Sequence, residues 1–129
     1  MVIAVDFDGT LCRHAFPEIG DTSLKHINLH KFLKQRKEEC GDTIILWTCR
    51  ENTLERDYLS EAVNFCRQYD IPIDYVNENT KENKLLFKNK DGNDGRKILA
   101  DIYIDDRAIG TETYIKLSNL RFSELLRIF

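Results

Sequence analysis

The chain has 129 residues, 42% of them hydrophobic, which is enough for one core and too few for two, so a single domain over residues 1–129 is expected. Its formal charge of −3 supplies no electrostatic drive toward nucleic acid or an anionic membrane. No signal peptide or apolar run of membrane length is seen, and Cys12, Cys40, Cys49 and Cys66 form no CxxC pair, so reduced thiols in a cytoplasm are the expected setting.

Val2, Ile3, Ala4 and Val5 read as an apolar strand that runs into Asp6-Phe7-Asp8-Gly9-Thr10. Residues 11–20 hold Pro17 and Gly20 without periodicity and read as a loop or short flap beside these acids. Asp21, Thr22 or Ser23 can cap a helix that continues to about residue 39, with Leu24, Ile27, Phe32 and Leu33 as its apolar contacts and Gly41 as its stop. His26 and His30 share one helical face but lack the HExxH arrangement and a third ligand, so they read as a solvated face rather than a zinc site.

A second strand is expected over residues 43–48. Asn52 and Glu55 then suit a helix start, with Leu54, Tyr58, Ala62, Val63, Phe65, Cys66 and Tyr69 as a broad buried face ended by Pro72. Residues 73–76 make a short third strand. Residues 79–93 are polar and Lys-rich, anchored by Leu85, Leu86 and Phe87, and residues 91–95 form a turn. A fourth strand follows over about 101–105, then Gly110, a candidate fifth strand over 113–117 and a short closing helix over 122–129. Strands alternating with helices indicate an α/β fold with a doubly wound parallel sheet.

The polar groups lie at the carboxyl ends of the strands, where open parallel sheets bind ligands. Asp6 and Asp8 follow the first strand, Thr48-Cys49-Arg50 the second, and Asp105-Asp106-Arg107 the fourth, with Lys97 shortly before it. Asp and Gly after a strand also form ordinary turns. Set together in order, however, these groups suit one site that handles phosphate: a carboxylate nucleophile, a second carboxyl as acid and base, a hydroxyl donor, a cation and a further acidic pair.

In Asp6-Phe7-Asp8-Gly9-Thr10, Ile45-Leu46-Trp47-Thr48, Lys97 and Ile104-Asp105-Asp106, the chain resembles the haloacid dehalogenase superfamily of phosphohydrolases, specifically a small capless branch of largely uncharacterised bacterial and phage proteins. The resemblance implies a three-layer sheet and a phosphatase acting on a phosphate monoester through an aspartyl-phosphate. Asp6 would be the nucleophile and Asp8 the general acid and base. Thr48, the Cys49 backbone and Lys97 would hold phosphate. Mg2+ would bind the Asp6 carboxylate, the Asp8 carbonyl and Asp105, with Asp106 in support.

Arg13 and Arg50, with His14 and Arg107, are candidate substrate contacts, and each equally suits a surface charge or a salt-bridge partner. The intervals between motifs are too short for a large cap, leaving a site open to substrate or covered by a second copy in a homo-oligomer. A phosphorylated small molecule is the expected partner, with a nucleic-acid end as an alternative that the net charge does not favour and no membrane partner. Two rival functions are a silent relative that binds a phosphorylated ligand and a receiver-like phosphoacceptor. A receiver, however, places its early acidic pair before the phosphorylated Asp, whereas here the leading pair is DxD and another acid pair follows the Lys.

Overall fold

The computed structural model describes residues 1–87 and 97–109. Among these, β1 (Val2–Val5), β2 (Thr43–Leu46), β3 (Tyr75–Val76) and β4 (Ile102–Ile104) form one parallel sheet in the order β3-β2-β1-β4, accompanied by helices α1 (Leu24–Cys40), α2 (Tyr58–Gln68) and α3 (Lys81–Phe87). This is an α/β architecture. Successive connections step outward from β1 to β3 and then return to the other side of β1, so the direction of winding reverses at β1. A crevice for ligands opens at such a reversal, beyond the carboxyl ends of the strands.

Because side chains alternate across a strand, Ile3 and Val5 with Ile44 and Leu46 face one layer, where they meet Leu33 of α1 and Ala62, Phe65 and Cys66 of α2. Phe7 closes that core edge-on against Phe65, with ring centroids 5.3 Å apart. Ala4 and Ile45 face the other way and pack with Ile98, Trp47 and Tyr103. There α3 is tied to the sheet by Asn83, which donates to the Leu99 carbonyl, while Asn79 accepts from the Leu99 N–H.

The α1 helix begins after Ser23 and ends where Gly41, in the left-handed region at φ 66°, donates its N–H to the Lys37 carbonyl. Its inward face corrects the sequence reading. His26 and His30 are 3% and 2% exposed and line up with Leu33, whereas Leu24 and Phe32 are exposed. His26 accepts the Ser23 N–H at Nδ1, the role usually taken by Glu or Gln three residues into a helix. His30 donates from Nε2 to the Leu11 carbonyl at 2.7 Å and stands edge-on to Phe65 and Tyr69. Burial, one hydrogen bond from each ring and, for His30, aromatic neighbours make these histidines core residues, not a solvated face.

The second helix also starts later than expected. Thr53 and Arg56 close a tight turn, and Leu54 at its tip is fully exposed rather than buried. Asn52 nonetheless serves α2 from outside, accepting the Ser60 N–H, one of the first-turn donors with no partner within the helix. Leu85 and Leu86, expected as anchors, are exposed. The expected turn at residues 91–95, the Phe87 side chain, Gly110, the strand over 113–117 and the helix over 122–129 lie outside the described residues. No described helix is long and apolar enough to cross a membrane.

Candidate functional site

Beyond the carboxyl ends of β1, β2 and β4 lies a cavity of about 320 Å3 whose walls include Asp6, Asp8, Thr48, Asp105 and Asp106. Parallel pairing of β1 with β2 and β4 sets the ends of these strands level, so residues distant in sequence meet there. Asp6 continues the ladder by donating its N–H to the Ile104 carbonyl. Directly beyond, the chain coils through one turn, with the Thr10 and Leu11 N–H groups both donating to the Phe7 carbonyl.

Oxygens of Asp6, Asp105 and Asp106 all lie within 4.8 Å of one another. The buried Thr10 joins the group: its hydroxyl donates to Asp6 Oδ2 at 3.0 Å or Asp106 Oδ1 at 3.3 Å and accepts the Asp106 N–H at 3.0 Å. Burial, with the negative charge of Asp105 also contributing, pushes the Asp6 carboxyl up to about 6 from its ordinary 3.8, against the opposing hydrogen bond from Thr10. Clustered hard oxygens that resist sharing negative charge are the donor set of a Mg2+-type cation, so the residues present fit such an ion.

Asp8 stands apart from that cluster. Its carboxylate takes two 2.8 Å hydrogen bonds from Arg50. Thr48 is held from both sides: its N–H donates to Asn77 Oδ1 at 2.8 Å, and its hydroxyl oxygen accepts the Arg50 N–H at 3.1 Å. The hydroxyl hydrogen therefore stays available for a ligand. Asn77 adopts φ 51°, a conformation Asn tolerates better than most residues, and continues the ladder through its N–H to the Leu46 carbonyl. Cys49 is exposed on the cavity wall, with His14, Phe16 and Arg107.

Other expected site residues lie elsewhere. The Lys97 ammonium sits 5.4 Å from the centre of the Tyr103 ring and does not line the cavity. Arg13 pairs with Asp21 at the base of the flap, also outside the cavity wall. Arg50, by contrast, is on the cavity wall, 2% exposed, with its guanidinium engaged by protein groups. Thr10, Asn77 and Arg56 had no role assigned from sequence. Only Thr10 carried a usable signal, its place directly after the DxDG turn. Arg56 binds Glu18 of the flap and Glu61 of α2 at once, fastening the flap to the body.

All four cysteines are free. Burial pushes the Cys66 thiol up to about 12, so it is a packing residue rather than a nucleophile.

The chain matches no protein-family profile and no curated protein. It is similar to a solved structure described as the conserved protein coded by a locus from Bacteroides thetaiotaomicron. The two are 29% identical over 97% of this chain and 96% of that one, with a TM-score of 0.64.

Proposed function

We propose that the chain is a metal-dependent phosphohydrolase of the haloacid dehalogenase type, a capless three-layer α/β domain that cleaves a phosphate monoester through an aspartyl-phosphate. One observation carries the reading: the carboxylates of Asp6, Asp105 and Asp106 converge within 4.8 Å at the strand ends, in a cavity shared with Asp8 and Thr48. A bound Mg2+, held by Asp6 and Asp105 with Asp106 in support, would neutralise charge on the phosphate and keep Asp6 ionised.

The Asp6 carboxylate attacks phosphorus as the bond to the leaving oxygen breaks, and Asp8 delivers a proton to that oxygen. Asp8 then takes a proton from the water that attacks the aspartyl-phosphate, which releases inorganic phosphate and restores Asp6. Thr48 donates its free hydroxyl hydrogen to a phosphate oxygen throughout. The substrate expected is a phosphorylated small molecule.

A phosphate-release screen over sugar phosphates, nucleotides and phosphorylated oligonucleotide ends tests the reading. Release should need Mg2+, stop with EDTA and vanish in Asp6→Asn. Equal release by a pure, folded Asp6→Asn protein would overturn it, as would no release from any class. A second reading, phosphate binding without turnover, is favoured by the position of Lys97 on Tyr103 instead of at the cavity wall. Phosphate affinity in the absence of steady-state release would support that reading.

A further inference from the structure

Arg50 has the most completely engaged polar side chain at the site. A guanidinium carries five N–H donors. In Arg50, Nε donates to Asp8 Oδ2 at 2.8 Å, and Nη2 donates to Asp8 Oδ1 at 2.8 Å and the Glu18 carbonyl at 3.0 Å. Nη1 donates to the Pro17 and Tyr58 carbonyls, each at 3.3 Å. No donor is left for a bound anion. The rings of Phe7 and Phe16, centred 5.2 and 5.1 Å from the guanidinium carbon, cover it further.

Such burial of a cation is costly unless it is paired and fully hydrogen-bonded, and here one carboxylate and three carbonyls supply every partner. The arrangement joins four parts of the chain: the end of β2, the acid after β1, the flap at residues 17 and 18, and the start of α2 at Tyr58. Asp8 has one freely rotating side chain on a turn, and a bidentate fork fixes the plane of its carboxylate. Each carboxylate oxygen retains a lone pair for proton exchange with a leaving group.

We infer that Arg50 is a positioning residue: it aims Asp8 at the leaving oxygen and clamps the flap against the site, so the flap is a fixed wall of the cavity. The inference rests on the phosphohydrolase reading. Arg56, through its pairs with Glu18 and Glu61, ties the same flap to α2.

Two substrates separate positioning from general structural support. The leaving oxygen of an alkyl phosphate needs a proton, whereas that of para-nitrophenyl phosphate does not. Arg50→Lys keeps the charge and loses the fork. It should lower kcat/KM, which reports the steps up to loss of the leaving group, by about 100-fold on an alkyl phosphate, the scale of a lost general acid, and by less than about fivefold on para-nitrophenyl phosphate. Asp8→Asn should show the same selectivity, and Asp8→Asn with Arg50→Lys should be no worse than Asp8→Asn alone, because one residue acts through the other. Equal losses on both substrates, or additive losses in the double variant, would overturn the inference.

If wild-type protein releases phosphate from no ester of any class, the phosphohydrolase reading fails, and amide hydrogen exchange then decides the clamp on its own. The same measurement serves if Arg50→Lys does not fold. Asp8→Asn should speed exchange across residues 13–20 at least threefold, because Arg50 loses its charged partner. Unchanged exchange in a folded Asp8→Asn protein overturns the clamp.

Discussion

Asp106 occupies the space that a side chain at Gly9 would need: a β-carbon on Gly9 would lie 2.4 Å from Asp106 Oδ2 and 2.8 Å from its Cγ. Gly9 also adopts φ 89°, outside the range comfortable for other residues. Gly9→Ala should therefore cost about 1–2 kcal/mol of backbone strain and push Asp106 away from Asp6 and Thr10. Mg2+ titration by calorimetry should show affinity weakened about tenfold, the usual scale for disturbing a group that orients a ligand. Undiminished affinity in the variant would mean that Asp106 has no part in holding the ion.

Thr10 is the hinge of the same cluster, because a single hydroxyl serves Asp6, the Asp106 carboxylate and the Asp106 N–H. Thr10→Val keeps the shape and removes both donor and acceptor. Stability should fall by about 1–3 kcal/mol in urea unfolding, since the Asp106 N–H loses its partner. Phosphate release should fall about 10- to 100-fold. Thr10→Ser keeps the hydroxyl and should retain most of both quantities. If Val and Ser variants behave alike, the hydroxyl is not what orders the acids.

The sheet was legible wherever local pattern decides structure. Val2 to Val5 and Thr43 to Leu46 are short apolar β-prone runs, and Gly41 is the residue a left-handed helix end requires. Winding on both sides of β1 then brings strand ends together, so Asp6, Thr48 and Asp105 could be grouped before their geometry was seen. Tertiary pairing was not legible. Nothing local to Arg50 reveals that its fork closes on Asp8, 42 residues earlier, or on carbonyls of the flap. His26 and His30 look polar in sequence, yet each makes a hydrogen bond inside the core, His26 with a serine N–H and His30 with a backbone carbonyl. Leu54 looks like a core residue, but Thr53 and Arg56 close the turn that turns it outward.

Asp6 illustrates the cost of assembling the site. Its carboxyl is raised to about 6 chiefly by burial, so the folded state holds this proton more tightly than the unfolded chain, whose group titrates near 3.8. The stability it contributes is complete below 3.8 and is lost as pH rises through about 6. Asp6→Asn removes that ionisation. In EDTA at pH 7.5 the variant should be more stable than wild type by on the order of 1 kcal/mol, a value reduced for partial solvent access. The advantage should disappear near pH 4, and Mg2+ should stabilise wild type much more than the variant. Urea unfolding at the two pH values checks this; a variant less stable at both would show that Asp6 is not strained by its ionised state.

His30 should have the opposite pH signature. Burial, aided by the nearby positive charge of Lys34, holds its imidazole below the ordinary 6.5, although the hydrogen bond to the Leu11 carbonyl works against this shift. Among the described residues Nδ1 has no hydrogen-bond partner, and the ring packs against Phe65 and Tyr69, so a second proton has nowhere favourable to sit. As pH falls through 6.5 the unfolded chain takes up a proton that the folded protein refuses, and stability drops until the folded imidazole itself is protonated. His30→Gln can still donate to the Leu11 carbonyl but does not titrate. Between pH 7.5 and 5.5, wild type should lose about 1 kcal/mol more stability than the variant in urea unfolding. The contributions of Asp6 and His26 are common to both proteins and cancel in the comparison. Parallel stability curves would show that the buried imidazole accepts its second proton as readily as one in water.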